Sequence, residues 1–160
     1  MDKTKNLKLY IELVPKTCWY ENLRKILSKN EWDKIRKQSY SDAGHKCSIC
    51  GSEGRLNCHE IWDYDDKKNI QSLIGFQALC DNCHNLKHIG FVNVQISNGI
   101  WSKDVLDNLA KYFMKVNDCN MATFNQHVKE AFKIWHERSK KNWTTDLGDY
   151  GKSSVQEKLF

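Results

Sequence analysis

Two short cysteine knuckles set the terms for this chain: Cys47-Ser48-Ile49-Cys50 and Cys80-Asp81-Asn82-Cys83. A C-x2-C pair lets two thiolates grip one ion, and two pairs supply the four ligands of a tetrahedral zinc site. The spacing predicts one structural Zn²⁺ on Cys47, Cys50, Cys80 and Cys83. That ion would staple whatever lies between the knuckles against whatever follows them.

Between the knuckles runs L-N-C-H-E, and the second knuckle continues as C-H-N-L-K-H. His84 and His88 are four residues apart, so a helix over 81–88 would set both imidazoles on one face, able to share a metal. Cys58 and His59 fall in a predicted strand, 55–62, where neighbours point to opposite sides. One of the two can face a metal held by the helix while the other faces away. The residues alone leave open which does which. A histidine facing a substrate can serve as a general base near neutral pH.

C-x2-C, then C-H-E, then L-C-D-N-C-H-N-L-K-H resembles the HNH endonucleases, whose core is a ββα-metal unit. The resemblance covers about a quarter of the chain. It implies that Cys58 is a metal ligand, that His59 is the catalytic base, and that His84 and His88 are the helix ligands. It also implies that the four knuckle cysteines hold a structural zinc. Two positions depart from the family pattern. Gly75 stands where the middle Asn would be, with Asn69 too early to match, and Cys58 is softer than the usual ligand.

The implied fold is α+β: a zinc-stapled ββα-metal core at 45–90, flanked by N-terminal and C-terminal helices. The chain reads as a single domain over 1–143 with a flexible tail over 144–160, where Gly148, Gly151 and two serines lie. Residues 7–14 alternate with period two and predict a strand ending at Pro15. Thr17 is placed to cap a helix burying Trp19, Leu23, Ile26 and Leu27. Asn30 is placed to cap a second helix, with Trp32 and Ile35 inward and a stop at Ala43-Gly44. The hairpin is read as strands 55–62 and 73–79 around a polar loop, and the helix 81–88 ends before Gly90. A strand over 91–96 and a turn at Ser97-Asn98-Gly99 follow. Ser102 opens a helix burying Val105, Leu109, Tyr112, Phe113 and Val116. A last amphipathic helix, 122–140, carries Phe124, Val128, Phe132 and Trp135. His127 and His136 read as ordinary core or surface histidines, and Cys18 and Cys119 as small buried apolar residues.

The formal net charge is +5, which suits an anionic partner without demanding one. Of the cations along the first two helices, Arg24, Lys25, Arg36 and Lys37 are the candidate nucleic-acid contacts. Glu21, Glu31 and Asp33 among them equally allow an ordinary solvated face. The acidic run Asp63, Asp65, Asp66 reads as a solvated turn, with an extra metal site as the sharper alternative. Residues 7–14 are apolar but interrupted by Lys8 and Glu12, unlike a secretory signal, and no run is long enough to cross a membrane. With four of seven cysteines in metal-type knuckles, this predicts a reducing, cytoplasmic setting and no membrane partner.

The function the resemblance implies is metal-dependent hydrolysis of nucleic-acid phosphodiesters, with duplex DNA as the expected substrate. Besides the structural zinc it calls for a second divalent ion, Zn²⁺, Mn²⁺, Ni²⁺ or Mg²⁺. A Cys-His-His donor set suits a late transition ion better than Mg²⁺. The alternative is a non-catalytic zinc module that binds nucleic acid or a protein partner, acting as a phage or mobile-element inhibitor or adaptor.

Overall fold

The computed structural model describes residues 6–18 and 23–151. A 3-10 turn at Lys16–Cys18 is followed by α1 (Leu23–Ile26), α2 (Lys29–Asp42), β1 (Asn57–Asp65), β2 (Ile70–Leu79) and α3 (Asp81–Lys87). Then come α4 (Ile89–Ser97), α5 (Asp104–Asn117), α6 (Met121–Ser139) and β3 (Thr144–Asp146). The fold is α+β, with one small sheet in the order β1-β2-β3; the first pair is antiparallel and the second parallel.

The β1–β2 hairpin divides the molecule. Trp62, Leu73 and Phe76 pack with Leu23, Trp32 and Ile35 of the N-terminal helices, with Leu27 between those helices, and with Leu147 and Tyr150. The larger core joins Leu79 to Leu86, Ile89, Val92, Leu109, Phe113 and Phe124, together with Leu9 and Ile11. Cys47 and Cys83 are part of that core, so the knuckles belong to the packed interior. The register runs Cys58↔Ala78, His59↔Gln77, Glu60↔Phe76, Ile61↔Gly75 and then Trp62↔Leu73. Ile74 is therefore the extra residue of a β-bulge, and it stands out to solvent at 64% exposure.

The N-terminal residues correct the predicted strand. Residues 7–14 bend at residues 8 and 9 and bury Leu9 and Ile11 as the alternation requires, but they join no sheet. Side chains of the last two helices take the place of a partner strand. The Asn117 amide accepts from the Leu9 N–H (3.0 Å) and donates to the Leu9 carbonyl (2.8 Å). His127 Nε2 accepts from the Ile11 N–H at 2.7 Å, and the Trp135 indole donates to the Val14 carbonyl at 3.1 Å. A buried backbone must pair its polar groups with something, and here helices provide the donors and acceptors.

Helix boundaries follow local chemistry. Ser28, not Asn30, caps α2, in a capping box with Glu31 whose bonds measure 3.3 and 2.8 Å. The chain leaves α2 through Gly44, whose φ of 62° a side chain would resist. The expected strand at 91–96 is helix α4 instead. Its alternating F-V-N-V-Q-I tempts a period-two reading, yet Ile89 and Val92, one helical turn apart, are the buried pair. Gly90 lies inside α4 rather than beyond a stop. Of the helix expected from Thr17, the described residues show the 3-10 turn at Lys16–Cys18 and α1, and Trp19 lies outside them. The tail expected from Thr144 begins with β3, Leu147 is buried and Tyr150 meets Phe76. Residues 152–160 lie outside the described part. Among the described residues, no helix is long and apolar enough to cross a membrane.

Candidate metal centre

Cys47 and Cys50 lie on the turn that leads toward β1. Cys80 ends β2 and is the N-cap of α3, its Sγ accepting from the Cys83 N–H at 3.5 Å. The antiparallel hairpin returns residue 79 beside residue 57 and so closes the second knuckle on the first. The four sulfurs lie within 4.8 Å of one another, and none is in a disulfide. Four thiolates each about 2.3 Å from a zinc ion would sit roughly 3.8 Å apart; Cys50 Sγ and Cys80 Sγ are 3.7 Å apart. The four cysteines can hold a metal ion such as zinc.

The four thiols bias one another's ionisation. Burial, and then the neighbouring thiols Cys47, Cys80 and Cys50, push Cys83 far above the ordinary range. Burial also raises Cys50, but hydrogen bonds from Ser52 and Tyr112 outweigh it and bring that thiol down to about 6. Packed sulfurs that oppose one another's charge are stabilised together by a divalent ion, which binds them as thiolates.

The second cluster contains His59, His84 and His88, whose ring nitrogens also lie within 4.8 Å of one another. The ring centroids of His84 and His88 are 4.7 Å apart, and those of His59 and His88 are 4.9 Å apart. His59 is buried, and its Nδ1 has no hydrogen-bond partner. Burial first, then the charges of His88, His84 and Lys87, hold His59 down to about 2. Burial first, then His84, Lys87 and Arg24, holds His88 down to about 4. Burial, followed by Arg24, lowers His84. All three imidazoles are thus kept neutral, the form that binds metals. These three residues form a group that could hold a metal ion.

Cys58 is not in either cluster. β1 turns it to the opposite face, where its thiol lies by Ser39 of α2, and burial raises it to about 11 despite Ser39. The structure thus brings His59, rather than the expected Cys58, together with His84 and His88. The reason is the strand's period of two: once His59 faces α3, Cys58 must face α2.

Among the cations, Arg24 is exposed and lies over the Trp32 ring at 4.9 Å. It is close enough for its charge to act on both His84 and His88. Arg36 is ion-paired with Asp33 at 2.7 Å, and Lys25 and Lys37 are exposed. The acidic run builds no metal-competent group among the described residues. Asp65 instead accepts from the Lys67 and Lys68 N–H groups, and Asp66 pairs with Arg138 at 2.8 Å. His127 is buried, as described, and His136 is exposed; neither joins a ligand cluster. Tyr112, read from sequence as core alone, puts its hydroxyl 2.9 Å from Cys50 Sγ. No sequence signal distinguishes that tyrosine from any other on an apolar helix face.

Comparison with family models, curated proteins and solved structures returned no significant match.

Proposed function

We propose that the chain is a metal-dependent nuclease of HNH type, hydrolysing phosphodiester bonds in nucleic acid, with His59, His84 and His88 as its reaction centre. The observation that carries this reading is the convergence of three imidazoles, His59 from β1 and His84 and His88 from α3 and its C-cap, within 4.8 Å of one another. Catalytic metal sites commonly use three protein ligands and keep a further position open, and three imidazoles suit Zn²⁺ or another late transition ion better than Mg²⁺. When bound, such an ion supplies Lewis-acid chemistry, activating water and stabilising charge on a phosphodiester.

The chain's own residues supply the rest. The hairpin fixes His59 and α3 fixes His84 and His88, so little reorganisation is needed. Burial keeps the imidazoles unprotonated. Arg24 adds a positive charge where a phosphate would approach, and the exposed Lys25 and Lys37 continue that charge along α1 and α2, whereas Arg36 is paired with Asp33. The separate four-cysteine ion, a zinc in this reading, holds the hairpin to α3 and takes no part in the chemistry. Here His59 is a ligand rather than the base that the family resemblance implies.

The test is incubation of purified protein with plasmid and a panel of divalent ions, with a chelator control. The reading expects ion-dependent cleavage that the chelator abolishes and that His84→Ala lacks. A folded protein that cleaves with no ion in the panel would be a binding module instead.

A further inference from the structure

The two clusters leave Tyr112 unaccounted for. It projects from α5, in the helical part of the molecule, onto the knuckles. Its hydroxyl donates to Cys50 Sγ at 2.9 Å and lies 3.5 Å from Cys80 Sγ and 3.9 Å from Cys83 Sγ. Cys47 and Cys83 are buried at 3% and 0% exposure, whereas Cys50 and Cys80 are only partly buried. The two sulfurs that the core fails to enclose are the two that the hydroxyl approaches most closely. Cys50 also lies 3.2 Å from the Ser52 hydroxyl, so this partly buried corner of the site carries two hydroxyl groups.

We propose that Tyr112 is a positioning residue for the four-cysteine metal site, a hydrogen-bond donor from α5 that holds the ion by stabilising the sulfurs of Cys50 and Cys80. A donor to a metal-bound thiolate withdraws electron density from the sulfur and fixes its direction, and groups of this kind typically alter metal affinity 10- to 100-fold. The contact also ties α5 to the metal core, so metal retention depends on a helix that contributes no ligand. The inference does not rest on the nuclease reading; it needs only a metal at the four cysteines.

The experiment compares wild type with Tyr112→Phe, which keeps the ring and its packing while removing the donor. Each protein is loaded with Co²⁺ at the four cysteines, in a His84→Ala background so that the histidine cluster does not contribute. Metal affinity is read by competition with a chromogenic chelator, and the thiolate-to-metal charge-transfer band is read by absorption. The expected result is a roughly 10- to 100-fold loss of affinity with a red-shifted band, because sulfur lone pairs rise in energy without their donor. Ser52→Ala, which removes the other hydroxyl at Cys50, should shift the band in the same direction. Unchanged affinity and an unshifted band in Tyr112→Phe would overturn the proposal. So would an affinity loss without a band shift, which would mean that the hydroxyl matters for packing alone.

Discussion

Cys58 and His59 are neighbours on β1 that serve opposite faces of one hairpin: the thiol lies by Ser39 of α2, and the imidazole ring sits 4.9 Å from that of His88. The candidate centre follows from this one alternation. On the α3 side of β1, His59 meets the helix histidines; on the α2 side, Cys58 does not.

Burial of Cys58 predicts an inert thiol. It is 4% exposed and raised to about 11, so almost none is thiolate at neutral pH. Alkylation of the folded protein followed by peptide mass spectrometry should leave Cys58 unmodified, with modification appearing only after denaturation. Rapid labelling in the native state would show the thiol to be open.

Removal of the knuckle metal should unfold the larger core. Cys47 and Cys83 pack with Leu79, Leu86 and Phe113, and a bound ion would tie them to Cys50 and Cys80, so its binding energy becomes folding energy. Chelation, or Cys83→Ser, should lower the melting temperature sharply and expose the core to dye binding. A chelated protein with an unchanged melting curve would mean that the site carries no folding energy.

The clamps on the N-terminal segment give a stability and pH prediction. Asn117→Ala or His127→Ala leaves a backbone group of Leu9 or Ile11 buried and unpaired, at a cost of about 1–3 kcal/mol. His127 accepts the Ile11 N–H and is held below its ordinary value by burial first. Its contribution is therefore present in full above the unfolded-state pKa near 6.5 and is lost as pH falls toward the lower native value. Denaturant melts of the metal-loaded protein should show a shallower loss of stability below that pH in His127→Gln than in wild type.

The knuckles, the hairpin, α3, α5 and α6 were all legible from spacing and periodicity. Alternation at 57–62 showed that Cys58 and His59 must diverge, but a period of two does not say which side meets the helix. Packing decided that, through Trp62 and Phe76, which belong with α2. The same signal misled twice. Residues 7–14 alternate because Leu9 and Ile11 enter the core, yet helix side chains stand where a neighbouring strand was expected. At 91–96 a helix formed where alternation suggested a strand, because the core takes Ile89 and Val92. β3 is three residues long, too short to show a period, so its pairing with β2 left no pattern to read.

Gly75 sits across from Ile61 and diagonally from His59. A Cβ there would meet only Ile61 Cδ1, at 3.9 Å, an ordinary contact, and the backbone is not left-handed. Gly75→Asn should therefore fold, with stability within about 1 kcal/mol of wild type, and retain its metals. Loss of folding in thermal melts would show that the hairpin needs glycine at this position.

The central claim concerns the histidine cluster, and native mass spectrometry of metal-reloaded protein tests it most directly. Wild type should carry two divalent ions per chain, one on Cys47, Cys50, Cys80 and Cys83 and one on His59, His84 and His88. Cys58→Ala should still carry two, and His59→Ala should fall to one while remaining folded. The account would be contradicted by the reverse pattern, with the ion lost from Cys58→Ala and kept by His59→Ala, or by a wild type that never binds more than one.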